Sequence, residues 1–267
     1  MNKNNIKYFL PAFVFILFLI PIVTSSLLDL KQKIANDLLL KQEQDARDKI
    51  YLTGKFDPSQ NENFTEIPEE YSISGYKMYL RKETLDAFLK MAEVAKLGGI
   101  ELKIASATRN FIYQENIWDN KWTGYTLVER KDLSKSIPDG LERFKKILEY
   151  SATPGTSRHH WGTDIDLNNA NIAYFETKEG KKVYEWLTVN APIFGFCQPY
   201  NLKGSSRPTG YNEEKWHWSY LPLSKDFTKK YKELIKDEDI NGFSGEEYVP
   251  SLDLMNNYIL SINPACL

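Results

Sequence analysis

Apolar and polar positions follow three different rhythms along this chain. At the N-terminus there is no rhythm at all: Tyr8 to Val23 is an uninterrupted apolar run, with Lys3 and Lys7 before it and Thr24, Ser25 and Ser26 after it. A positive start, an apolar stretch and small polar residues are the layout of a secretion signal. No A-x-A cleavage site follows, so residues 1–26 read equally as a removed peptide or an uncleaved anchor. The run is slightly short for a spanning helix, which needs roughly 20 apolar residues. From Leu27 to about Ile50 the spacing becomes helical, with no Gly or Pro, and "TGKFDPSQNENFTEIPEE" after it is turn-rich, so 27–70 reads as a helical lead-in and a loop.

Beyond residue 71 helical and alternating patterns intermix. "KETLDAFLKMAEVAKLGG" puts Leu85, Phe88, Leu89, Ala92 and Ala95 on one helical face and stops at Gly98 and Gly99. "IELKIAS" alternates Ile100, Leu102 and Ile104 against Glu101 and Lys103, a half-buried strand. "GLERFKKILEYSA" predicts an amphipathic helix through Leu141, Phe144, Ile147 and Leu148. Then come strand "TDIDL", helix "TKEGKKVYEWLTVNA", strands "FGFCQPY" and "EKWHWSYL", and helix "SKDFTKKYKELIK". Interspersed elements with hairpin-scale gaps predict an α+β domain over 71–235, with a largely antiparallel central sheet flanked by helices. Residues 236–267 form a tail with a last short helix, packed on the domain.

Charge and composition narrow the function classes. A net charge of -2 gives no electrostatic reason to expect nucleic acid. The two cysteines, Cys197 and Cys266, could form one disulfide in an exported protein or stay as small buried thiols. The three histidines fall in two tryptophan-marked segments, "SRHHWGTDID" and "EEKWHWSY". Asp164 and Asp166 share a strand face, because the side-chain period is two. A turn at Gly162 can swing His159 towards Asp166, and strand pairing can add His217, giving the three protein ligands of a catalytic zinc site. Glu214 stands three residues before His217, a spacing that needs a bend or bulge if both are to reach one site. A carboxylate there could act as general base. The same residues could also be a solvated strand face and packed histidines, and the helical H-E-x-x-H arrangement is absent.

Three separated motifs carry a family resemblance. Ser157, His159, Gly162 and Asp166 follow S-x-H-x-x-G-x-x-x-D; Glu214, Trp216 and His217 follow E-x-W-H; Ser106, Arg109 and Gln114 match the upstream S-x-x-R-x-x-x-x-Q. In this order, from about Tyr79 to Tyr220, the chain resembles the zinc D-alanyl-D-alanine carboxypeptidases, in the VanY-like and L,D-carboxypeptidase branch of the lysostaphin, D-Ala-D-Ala peptidase and hedgehog superfamily. The resemblance implies a hedgehog/D-Ala-D-Ala peptidase-like fold and one Zn²⁺ per chain on His159, Asp166 and His217. It implies Glu214 as the general base for the attacking water. Arg109 would hold the scissile carbonyl or the terminal carboxylate, and Gln114 and Ser157 would add substrate hydrogen bonds. The implied partner is a peptidoglycan stem peptide, met in the periplasm or at the cell surface, with residues 8–23 available as a membrane anchor. The same motifs also suit an L,D-carboxypeptidase, a cross-link endopeptidase or a non-catalytic zinc-bearing cell-wall module. The chain departs from the family at Asp164, where alanine is usual, and at Asn110. Asp164 could orient a ligand histidine, narrow the pocket or compete as a ligand, and His160 is expected to point away from the site.

Overall fold

In the computed structural model, residues 10–73 and 75–267 are described, with side chains from residue 28. The first element, α1 (Leu10–Leu52), is continuous helix. Leu28, Leu30, Ile34, Leu38, Leu39 and Leu40 along it are exposed. The apolar run 8–23 lies outside the described residues at its start and in its side chains. Among the described residues no helix is long and apolar enough to cross a membrane.

The compact unit runs Lys49–Leu267. It opens with a small antiparallel ribbon, β1 (Phe64–Glu66) on β2 (Tyr79–Arg81). Phe64 and Leu80, on neighbouring strands, are buried. The polar stretch read as loop thus contains a strand, because three residues were too few to display a period. Next come α2 (Lys82–Leu97), β3 (Ile104–Ser106), α3 (Phe111–Trp122), the short turn of helix α4 (Leu133–Ser136) and α5 (Gly140–Leu148). They are followed by β4 (Asp164–Leu167), the single turn α6 (Ile172–Phe175), α7 (Lys178–Asn190), β5 (Phe196–Cys197), β6 (His217–Tyr220) and α8 (Leu221–Leu234). Strands β3, β4, β6 and β5 lie side by side in that order, and every pair is antiparallel. The expected α+β class with a largely antiparallel sheet is therefore present.

The sheet has two chemically different faces. Ile165, Leu167 and Trp218 point to one side, where they pack with Leu85, Phe88, Ala92 and Ala95 of α2 and Val183 and Leu187 of α7. The helical face predicted for α2 is the buried one, with Met91 added and Leu89 half-buried. Gly98 caps the helix and Gly99 follows at φ +72°, as the stop signal required. The other face carries Asp164, Asp166, His217 and Ser219, brought side by side by the pairing of Asp164 with Ser219 and Asp166 with His217.

A second apolar core lies away from α2, built on Trp118, Phe144, Ile147, Leu148, Trp161 and Tyr231. Much of it comes from the tail, through Ile240, Phe243, Val249, Leu254 and Ile259. The last helical segment expected there is a single π turn, Met255–Ile259. The cysteines are joined, Cys197 to Cys266, across 69 positions of sequence. The tail is also bonded to the segment after β5: Asn263 donates through its backbone N–H to Pro199 O at 2.8 Å and through Nδ2 to Gln198 O at 3.1 Å. Closing a loop of that length removes about 4 kcal/mol of unfolded-state entropy. Cys266→Ser is therefore expected to lower the unfolding temperature of the oxidised protein and to abolish its sensitivity to reductant, measured by thermal melts with and without dithiothreitol.

Candidate metal centre and its pocket

The site is assembled where β4 and β6 meet the turn that precedes β4. Residues Arg158–Trp161 make one 3-10 turn, closed by Gly162 at φ +73°. A Cβ at Gly162 would stand 2.4 Å from the Phe64 ring, so only glycine lets the chain reverse there. That reversal returns His159 to the strand face that bears Asp166. His159, Asp166 and His217 are all buried, and one ligand atom from each lies within 4.8 Å of the others. His159 Nε2 and His217 Nδ1 each stand 3.4 Å from Asp166 Oδ1.

Neighbouring groups fix which ring nitrogens are available. The Nδ1–H of His159 donates to Ala107 O at 2.8 Å, which leaves Nε2 as a lone-pair donor. The Nε2–H of His217 donates to Asp164 Oδ2 at 2.9 Å, which leaves Nδ1. Asp164 is thus neither a fourth ligand nor a wall of the pocket but the partner that orients His217. It is wholly buried and saturated. Arg158 Nε donates to Oδ2 at 3.0 Å, and Thr163 and Ser219 donate to Oδ1 at 2.7 and 2.8 Å. Burial would raise the Asp164 carboxyl, but Arg158 and then His217 hold it well below the usual carboxylate range. Burial likewise disfavours charge on His217, yet hydrogen bonds to Asp164 and Glu214 and the charge of Asp166 push it up to about 9, so near neutral pH Nδ1 holds a proton towards Glu214, which a cation bound at Nδ1 would replace. Three carboxylates around one imidazole make this a point that attracts cations.

Two of the converging ligand atoms are unpaired. Asp166 Oδ1 and His159 Nε2 are buried and have no hydrogen-bond partner. Buried polar atoms without partners cost on the order of 1–3 kcal/mol each, so their convergence on one point needs a compensating ligand. Two imidazole nitrogens and one carboxylate are a donor set that fits zinc.

Glu214 reaches the same point because the chain bends where a bend was required. Residues 215 and 216 form a turn, closed by His217 N–H donating to Glu214 O, so β6 begins only at His217. Glu214 Oε2 then stands 3.1 Å from His217 Nδ1, half-buried and facing a cavity of about 200 Å³. Arg109 lies opposite, its Nη1 at 3.0 Å from Ser106 Oγ and 3.6 Å from Asp166 Oδ2, with Nε buried and unpartnered. Gln114 and Ser157 also line this cavity. Gln114 is anchored through Nε2 to Ala152 O at 2.8 Å, and its Oε1 is unpartnered. Asn110 does not enter the site; its side chain caps α3 by accepting from Tyr113 N–H at 2.9 Å.

The adjacent His160 points away, as expected, but it has a function that the sequence reading missed. Its Nδ1–H donates to Arg109 O at 2.6 Å and its Nε2 accepts from Gly155 N–H at 3.0 Å, so it braces the backbone that carries Arg109. Desolvation pushes this ring down to about 3 and keeps it neutral. Trp161 packs in the core and donates to Leu52 O at 3.1 Å. Lys121, Tyr200 and Tyr211 line the pocket and were also missed. Lys121 could have been found by following the helix face of Gln114 for two turns.

Paired histidine ligand atoms, a buried aspartate and a carboxylate at an open pocket form a centre of the kind that metallohydrolases use. The sequence matches the VanY D-alanyl-D-alanine carboxypeptidase family over residues 77–223, more than half of the chain, and the protein belongs to that family. It is 30% identical over 198 residues to YodJ of Bacillus subtilis (strain 168), covering 71% of this chain and 61% of that protein. It is 27% identical over 187 residues to a D-alanyl-D-alanine carboxypeptidase of Enterococcus faecalis (strain ATCC 700802 / V583), covering 66% of this chain and 62% of that one. The chain thus spans just over three-fifths of the length of these relatives. Among solved structures it is similar to the LdcB LD-carboxypeptidase, with 28% identity, TM-score 0.47, and 68% and 81% of the two chains covered. It is also similar to a vancomycin-resistance D,D-pentapeptidase, VanY, in complex with Zn(II), with 25% identity, TM-score 0.45, and 69% and 94% covered.

His160→Ala strips the partners from Arg109 O and Gly155 N–H inside the protein. It is expected to cost about 2–5 kcal/mol, read as a lower midpoint in urea unfolding.

Proposed function

We propose that this protein is an exported zinc carboxypeptidase that removes the terminal D-alanine from peptidoglycan stem peptides. The observation that carries this reading is the convergence of the unpartnered His159 Nε2 and Asp166 Oδ1 with His217 Nδ1, beside the carboxylate of Glu214. His159, Asp166 and His217 would hold one zinc per chain. When bound, the metal would supply Lewis acidity to the scissile carbonyl and lower the pKa of a water.

The chain's own groups divide the remaining work. Glu214 accepts the proton of the attacking water and passes it to the departing amine, a role for which its half-buried position at the cavity is suited. Arg109 offers unused guanidinium donors to the carbonyl oxygen as charge develops, or to the terminal carboxylate. Gln114 Oε1 is free to accept an N–H of the peptide, and Ser157 lies within the same wall. The peptidase domain is taken as 71–235, with 236–267 as its packed tail and 27–70 as lead-in. Export through residues 1–26, as a signal or as an anchor at 8–23, is supported by their sequence pattern and by the disulfide.

The test is release of free D-alanine from synthetic stem peptides ending in D-Ala-D-Ala and in L-Lys-D-Ala, with and without zinc. Zinc-dependent release is expected, and Glu214→Gln should reduce it by about 10²–10⁴-fold while metal content stays near one per chain. Absence of release from either peptide by the folded, zinc-loaded protein would overturn the reading. In the same preparations Asp164→Asn should weaken zinc binding by about 10–100-fold, measured by competition with a chelator.

A further inference from the structure

We propose that Lys121 anchors the free terminal carboxylate of the substrate and so makes the site selective for the end of a peptide chain. This deepens the carboxypeptidase reading and rests on it. Lys121 stands in the last turn of α3, seven residues after Gln114 and four after Ile117, and all three line the metal pocket. That spacing sets Lys121 about 10 Å along the helix from Gln114, and helical side chains lean back towards the N-terminus, here towards Arg109.

The partners of Lys121 are unusual for an ammonium group so withdrawn from water. Its Nζ donates to Ser151 Oγ, and among the described residues no carboxylate lies within ion-pair distance of it. Partly burying a cation without an anion is unfavourable, so the arrangement is completed by a negatively charged ligand that enters the pocket. Desolvation, reinforced by Arg109 and opposed by Glu214, brings its pKa down to about 8. The other ionisable groups lining the pocket are His159, Asp166 and His217 at the candidate metal centre and the phenols of Tyr150, Tyr200 and Tyr211.

The chemistry assigns the two cations different tasks. Arg109 lies against Asp166 at the metal end, where the scissile carbonyl must sit. Lys121 lies further along α3, where an acid group one residue beyond that carbonyl would find a compact, multi-donor ammonium. A peptide continuing past that point, or ending in an amide, has no charge to offer it.

The experiment uses the zinc-loaded full chain in a Glu214→Gln background, so that peptides are bound but not consumed. Calorimetry compares acetyl-L-Lys-D-Ala-D-Ala as the free acid with its C-terminal amide. The acid should bind at least about tenfold more tightly at pH 7, and that preference should decline as the pH rises and Lys121, whose pKa burial already lowers and loss of the Glu214 charge lowers further, gives up its proton. Adding Lys121→Met should collapse the preference, and Lys121→Arg should restore part of it. Equal binding of acid and amide by the parent, or an unchanged preference in a folded Lys121→Met protein, would overturn the assignment while leaving the carboxypeptidase reading intact. Binding of neither peptide, with no D-alanine released by the wild type, would overturn both. The pH profile of the parent decides the matter should Lys121→Met fail to fold.

Discussion

The buried pair of Arg158 and Asp164 is the interaction on which the site depends. Both side chains are almost wholly removed from water, a costly arrangement unless each donor and acceptor is met. Here they are met: Arg158 donates to Asp164, Thr228 and Ser219, and Asp164 accepts from Thr163, Ser219 and His217 as well. The pair links the turn before β4, the strands β4 and β6, and helix α8. Its consequence for chemistry is a fixed ring orientation, and a single tautomer once the imidazole is neutral. With Nε2–H committed to Asp164, His217 can present only Nδ1 to the pocket.

A second constraint works on the opposite side. The two adjacent histidines use the same atom, Nδ1, on carbonyls two residues apart, Ala107 for His159 and Arg109 for His160. Arg109 N–H returns a bond to His159 O at 3.2 Å. The segment leading from β3 to α3 is therefore stitched to the turn before β4, and Arg109 starts from a fixed backbone. Tyr51 OH donating to Trp161 O at 2.6 Å, and Gly54 lying against the His160 ring, bring the end of α1 into the same support. A Cβ at Gly54 would come within 2.4 Å of that ring, which explains the glycine.

The tail plays a comparable part for the far wall of the pocket. Tyr200 and Tyr211 lie on the long connection between β5 and β6, which has little regular structure of its own. The disulfide, the Asn263 hydrogen bonds, a Thr209 to Ser261 bond of 2.8 Å and the packing of Tyr258 on Tyr211 hold it in place. The family match ends at residue 223, so this clamp is built by a segment beyond it.

Much of this protein is legible in its sequence because it depends on local spacing. The buried faces of α2 and α5, the glycine stop after α2 and the common face of Asp164 and Asp166 all follow from periods of 3.6 and 2. The three motifs likewise single out His159, Asp166, His217, Glu214 and Arg109 as candidates, and the fold gathers them at one pocket. What spacing cannot give is the direction of contacts between distant segments. Whether Cys197 meets Cys266, whether Asp164 faces the pocket or bonds to a histidine, and that His160 holds Arg109 were decided by which backbone lies opposite in three dimensions. The charge on Lys121 was visible in the sequence; its seclusion in the pocket beside His159, Asp166 and His217 was not, because burial belongs to the assembled fold and not to any one segment.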